Sequence, residues 1–180
     1  VQKMTAMYPA YLPPLSLQGG ILSGHSMGGH GAWIGGVSNP HLYTCLSPIG
    51  GWVKKPEYSH GNAFFDLDVS SSYTPAQHKA ILAKAWGEYD VDQMVVGGEE
   101  GVKGGLGSMR VHIRVGSHDL TTHPWFSRRM YRLLVRSAGR SEELVSYEEV
   151  GGKGHWWWDT SVDNDGGVVN DYRMREFYHE

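Results

Sequence analysis

Gln18-Gly19-Gly20-Ile21-Leu22-Ser23-Gly24-His25-Ser26-Met27-Gly28-Gly29-His30-Gly31-Ala32-Trp33 is the stretch around which the chain is organised. Its centre, Gly24 to Gly28, fits the pattern G-x-S-x-G. An apolar pair, Ile21-Leu22, leads in, and a run rich in Gly and Ala leads out as far as Val37. This layout predicts a strand over 18–23, a sharp turn with Ser26 at its tip, and a helix over 27–37 that Ser38-Asn39-Pro40 stops. The serine of such a nucleophile elbow has a strained backbone, and side chains two residues before and after it would collide with the adjoining helix and strand. Gly24 and Gly28 are expected to relieve that collision. Gly28, Gly29, Gly31 and Ala32 are expected to let the helix lie close to the sheet. The first N–H groups of the helix, led by that of Met27, then face the serine and can stabilise an oxyanion, aided by the helix dipole.

Downstream, residues 41–48 read as a short buried strand in the βαβ manner, and Gly50-Gly51-Trp52 turns the chain away. A lid-like excursion over about 53–108 follows. It holds a helix capped by Thr74, with Pro75 in its first turn and an apolar stripe of Ile81, Leu82, Ala85 and Trp86. Residues 109–115 alternate apolar and polar, which is a strand pattern. A helix is expected from Pro124 to about Ala138, with Trp125, Phe126, Met130, Leu133 and Leu134 inward and Arg128, Arg129, Arg132 and Arg136 outward. The last strand is expected over 144–150 and a short helix over about 171–178, whereas residues 1–17 read as weak helix or coil. The order implies an α/β fold in one domain over 1–180, a parallel sheet of about four strands with helices on both faces. Active residues in such sheets gather at the C-terminal ends of the strands.

Three residues fall there: Ser26 after the first strand, Asp119 after the third and His155 after the fourth. The order Ser, Asp, His is the one used on α/β-hydrolase folds. Each type has a reason. A serine hydroxyl is a weak nucleophile and needs a base, the histidine takes and returns the proton, and the carboxylate orients the imidazole and stabilises its charged form. Taken singly, Asp119 also suits a turn or a helix entry, and His155 is one of ten histidines. Asp159 and Asp163 follow His155 and break the expected order of the acid. No dense ligand pattern such as H-E-x-x-H occurs, so neither a metal nor another cofactor is expected.

Composition limits the alternatives. The chain has 180 residues, with 16 basic against 19 acidic, a formal charge of −3. That balance does not suit a nucleic-acid partner. The one cysteine, Cys45, rules out an internal disulfide and reads as a small core residue. No stretch reaches the roughly 18 apolar residues that a membrane span needs. Val1 is not Met and no signal pattern follows it, which suggests the interior of a longer protein or a processed product.

The segments Gly24 to Trp33, Gly116-Ser117-His118-Asp119 and Gly152-Lys153-Gly154-His155-Trp156-Trp157 together resemble the catalytic domain of the prolyl oligopeptidase-like (S9) serine peptidases, and esterases of the α/β-hydrolase superfamily look similar. The resemblance runs from about Gln18 onward. It implies that Ser26 is the nucleophile, Asp119 the acid and His155 the base of an S9-like peptidase acting on peptide or ester bonds; the alternatives are a carboxylesterase or lipase-type hydrolase, or a non-catalytic fragment that lacks the second oxyanion donor and keeps the fold for binding. It also implies a departure. In the family the elbow comes after several strands, about halfway through the domain, so this chain is expected to hold a truncated α/β-hydrolase domain, its second half. The elbow strand would then lie at a sheet edge, the loop giving the second oxyanion donor would be absent, and the N-terminal half would act as a partner piece. Of the residues that could form a substrate pocket, His25, Trp52 and Trp156 are the candidates; Tyr58, Phe64, Phe65 and Tyr73 in the excursion and Trp157 and Trp158 after His155 are further aromatics, most of them expected to pack the excursion onto the body.

Overall fold

The computed structural model describes residues 19–53, 91, 95, 106, 108–137, 140–158, 161 and 167–179. The coil or helix expected over 1–17, most of the excursion with its helix at Thr74, and Asp159 and Asp163 lie outside them. Four strands, β1 (Gly20–His25), β2 (Tyr43–Ile49), β3 (Arg110–Gly116) and β4 (Val145–Val150), form one sheet in the order β1-β2-β3-β4. Every pairing is parallel. All four C-terminal ends therefore lie along one rim of the sheet, and among the described residues β1 is paired on one side alone.

The alternation of β3 divides the core in two. Val111 and Ile113 face α1 (Met27–Ser38) and α2 (Pro124–Arg132), where Ala32, Trp33, Leu46, Phe126, Met130, Leu134 and Val145 join them. The intervening residues, Arg110, His112 and Arg114, face α3 (Tyr172–His179), whose Met174 and Phe177 cluster with Cys45, Ile49 and Val168. Helices thus cover both faces, as the strand and helix order implied. Arg114 is only 1% exposed. Its guanidinium pairs with Glu148 at 2.8 Å and with Asp171, and donates to the carbonyl of Val168 at 3.1 Å. It also lies 5.5 Å from the Trp157 ring centroid, so one buried cation joins β3, β4, α3 and the segment after His155.

Two local expectations need correction. Gly24 does relieve a collision, since a Cβ there would sit 2.3 Å from the carbonyl oxygen of Gly28. Gly28 does not, because a Cβ on it, as on Gly31, would meet open space. The helix approaches the sheet at Gly29, where a Cβ would lie 2.6 Å from the Ile49 oxygen, and at Gly36. The reason is helical periodicity, which puts Gly29, Ala32, Trp33 and Gly36 on one face and Gly28 and Gly31 on another. Trp125 points outward, with the Arg129 guanidinium 5.0 Å from its ring centroid. The helix expected to about Ala138 is there: α2 runs to Arg132 and passes directly into a π-helical turn over Leu133–Ser137, whose Leu134 carbonyl accepts the N–H of Arg140 at 3.1 Å.

The layer beneath α3 makes stability depend on pH. Burial, and after it the nearby Arg114, keeps His112 below its ordinary value of 6.5, although Glu148 opposes this. Burial works to raise the Asp171 carboxyl, but hydrogen bonds from Arg114 and from the N–H of Met174 outweigh it and hold the group below 3.8. Both shifts have the same sign: the unfolded chain binds the proton more readily, so stability is present above the unfolded values and is lost as pH falls through the folded ones. A plot of Tm against pH should be level above about 7, decline from about 6.5 as the histidine step begins, and decline again in the carboxylate range below about 4. A curve with no decline between about 6.5 and 5 would contradict the burial of a neutral His112.

Candidate active site

Ser26 sits between β1 and α1 with φ 60° and ψ −120°, and is the one non-glycine residue with positive φ among the described residues. Such a conformation costs about 1–3 kcal/mol and persists where neighbours over-determine it. Here the Ser26 N–H donates to the Ile49 carbonyl at 2.9 Å, and the Ser26 carbonyl accepts the N–H of His30 at 3.1 Å. The side chain takes no part in that restraint and is left to project beyond the rim of the sheet. Met27, first residue of α1, has an N–H outside the helical ladder, available to an oxyanion at Ser26.

The structure brings Asp119 and His155 to that serine. His155 Nδ1 lies 2.7 Å from Asp119 Oδ2, and His155 Nε2 lies 2.9 Å from Ser26 Oγ. A carboxylate can only accept, so Nδ1 carries the ring proton and donates it to Asp119, and Nε2 is left to accept the hydroxyl hydrogen of Ser26. Asp119 and His155 are both buried. The two meanings that Asp119 had in the sequence hold together, one on each oxygen. Oδ2 faces the imidazole, and Oδ1 accepts the N–H groups of Thr121 at 2.9 Å and Thr122 at 2.7 Å, which closes the turn.

Asp119 and His155 arrive on loops that are tied to each other. The N–H of Ser117 donates to the Val150 carbonyl at 2.9 Å and that of His118 to the Lys153 carbonyl at 2.8 Å. The N–H of Gly152 donates to Ser117 Oγ at 2.8 Å. Gly116 lets the loops come this close, because a Cβ on it would lie 2.3 Å from the Gly154 oxygen and 2.4 Å from that of Lys153. Of the glycines around Asp119 and His155, Gly116 therefore serves the close contact between the two loops, whereas a Cβ on Gly151 or Gly152 would meet open space.

The pocket candidates separate. Trp156 is 60% exposed, and its ring meets that of His155 edge-on at 5.3 Å and that of Trp158, also exposed, at 5.8 Å. Trp52 is 6% exposed, with its ring stacked on His30 at 4.9 Å and its carbonyl accepting from His30 Nδ1 at 2.8 Å. It packs α1 onto the segment after β2. His25 is half-buried and points at the backbone of His155, with Nε2 2.9 Å from the His155 carbonyl oxygen. Burial first, then the nearby His155, lowers its pKa below 6.5. Of the histidines near Asp119, His118 is exposed and His123 caps α2, accepting the N–H of Trp125 at 3.1 Å. Sequence reasoning missed Thr122, whose Oγ1 is 3.4 Å from His155 Nδ1. The spacing Asp119-x-x-Thr122, an aspartate with a hydroxyl three residues on, was the available signal. No cluster of metal-ligand side chains, and no helix long and apolar enough to cross a membrane, occurs among the described residues.

A parallel sheet with helices on both faces and this rim of loops is the α/β-hydrolase fold, and comparison with solved structures agrees. The chain is similar to an acylaminoacyl peptidase with a TM-score of 0.62 at 13% identity, covering 99% of this chain and 26% of that one. It is similar to the dipeptidyl peptidase 4 of Porphyromonas gingivalis with a TM-score of 0.59 at 15% identity, covering 98% and 21%. A ferulic acid esterase gives a TM-score of 0.56 at 19% identity, covering 86% and 51%. The chain thus spans about a fifth to a quarter of the length of those peptidases. By sequence it matches no protein-family model and no curated protein.

Proposed function

We propose that the chain carries the site of a serine hydrolase that cleaves peptide or ester bonds through an acyl-enzyme. The observation that carries this reading is the unbroken hydrogen-bond series from Asp119 through His155 to Ser26, with the serine on a strained turn between strand and helix. As Ser26 Oγ attacks the substrate carbonyl carbon, its proton passes to His155 Nε2. Asp119 stabilises the imidazolium, and the Met27 N–H takes up charge on the carbonyl oxygen. His155 then returns the proton to the leaving amine or alcohol. Water, deprotonated by the same nitrogen, releases the acid and restores Ser26.

An S9-like peptidase is the reading that the peptidase-like fold and the Gly-Lys-Gly-His-Trp segment favour. An esterase is the second reading, favoured by the exposed rings of Trp156 and Trp158 beside the base, which offer an apolar, ring-stacking surface to an acyl or alcohol group. The edge of β1 that is unpaired among the described residues, bordered by Ile21 and Tyr178, is where a further strand of the domain would pair. Turnover of peptidyl anilides and of nitrophenyl esters by the full parent polypeptide separates the two readings. Trp156→Ala should raise KM for an aromatic ester by about 2- to 10-fold and leave kcat nearly unchanged, as expected for the loss of one ring pair. An unchanged KM would remove Trp156 from the pocket, whereas turnover of neither substrate class would remove the hydrolase reading itself.

A further inference from the structure

We infer that His25 is a positioning residue: its Nε2–H holds the backbone carbonyl of His155 and so ties the nucleophile's turn directly to the base. The inference rests on the hydrolase reading above. His25 directly precedes Ser26 in the chain, so its bond runs from the residue beside the nucleophile to the backbone of the base itself, 2.9 Å away.

The ring is placed for the task and for little else. A carbonyl oxygen can only accept, so the hydrogen of the His25 imidazole is on Nε2, and Nδ1 is a bare acceptor. That Nδ1 is buried with no hydrogen-bond partner among the described residues. A buried unsatisfied acceptor costs about 1–3 kcal/mol. Phenylalanine would fill the same space without that cost, so packing alone does not account for a histidine here. The ring also lies 4.6 Å from the imidazole of His155 and 4.2 Å from the ring of Trp156. These contacts leave the base little room to rock about its own backbone. Burial keeps His25 neutral near pH 7, so it places no second positive charge beside His155 when that ring is protonated during the reaction. The groups facing it are His155, Asp119 and Trp156.

The reach of a serine to its base tolerates little error, and a displacement of about 1 Å can cost on the order of 100-fold in rate. Two variants test the role. His25→Phe keeps a planar ring and loses the donor; His25→Gln keeps an amide N–H at a similar distance from the backbone. In the parent polypeptide, His25→Phe should slow acylation of Ser26 by an activated ester by about 10- to 100-fold, with KM within about twofold of the wild type and Tm within a few degrees. His25→Gln should recover most of that loss. A second readout does not need turnover: the low-field imidazole proton of His155 Nδ1, observed by NMR, should be sharp in the wild type and His25→Gln and broadened in His25→Phe. Equal rates and equal resonances in the wild type and His25→Phe would overturn the inference, as would equal damage in both variants. A wild type whose Ser26 does not acylate at all would instead overturn the hydrolase reading.

Discussion

Ser26→Ala is expected to abolish labelling of the protein by a fluorophosphonate and to lower ester turnover by on the order of 10⁶-fold. The variant should fold as the wild type does. The strained turn is held by the Ser26 N–H to Ile49 and the Ser26 carbonyl to His30, and alanine retains both. Its Tm should therefore shift by no more than a few degrees, which separates lost chemistry from lost structure. His155→Ala should cost about as much, and the double variant hardly more, since the two side chains act as a unit. Asp119→Asn should cost about 10⁴-fold. An amide facing Nδ1 donates where the carboxylate accepted, so the ring takes the other tautomer, with its proton on Nε2, and can no longer accept from Ser26. Labelling that survives in Ser26→Ala would place the nucleophile elsewhere. An Asp119→Asn variant as active as the wild type would leave the acid unassigned.

Arg114→Met should be the most damaging single change to stability. The side chain is almost wholly buried, and its ion pairs leave Glu148 and Asp171 dependent on it; Arg173, a surface residue, is a second partner for Glu148. Removing one member of a buried ion network typically costs about 3–5 kcal/mol, because the remaining charges are left in a poor solvent. That is a large share of the roughly 5–15 kcal/mol that holds a domain together. The consequence extends to the site. Arg114 Nη1 holds the Val168 carbonyl, the N–H of Val168 holds the carbonyl of Trp157, and Trp157 follows His155 by two residues. Urea unfolding should show the loss. Arg114→Lys should not restore it, since an ammonium cannot span three partners in a fork. Adding Glu148→Gln and Asp171→Asn to Arg114→Met should recover part of the stability by removing the uncompensated charges. A loss below about 1 kcal/mol in Arg114→Met would mean that the network is not what holds α3 and the Trp157 segment to the sheet.

Much of the fold was legible because strands and helices write different periods into a sequence. Residues 109–115 alternate and residues 124–134 repeat at helical spacing, and both elements are there, with boundaries moved by a few residues. The parts that were misread share one cause: they depend on which direction a side chain takes. Gly28 and Gly29 are neighbours with the same composition signal, yet only Gly29 faces the sheet. Trp52 and Trp156 are both large apolar residues next to glycine-rich turns, and one is buried against His30 while the other stands in solvent. Arg114 occupies the polar phase of an alternating strand, a position that would be solvated if α3 did not cover it.

What the sequence by itself determined was the set of candidate reacting residues and their order along the chain. A G-x-S-x-G turn, an aspartate after one strand and a histidine after another are chemical statements that survive without coordinates, because each rests on local spacing. The tertiary structure alone decided that His155 Nε2 lies 2.9 Å from Ser26 Oγ and that His25, which local spacing could only place beside Ser26, reaches the backbone carbonyl of His155 at 2.9 Å. Those relations join residues about 130 positions apart, and they follow from strand order and from loops laced to one another, which no local pattern encodes.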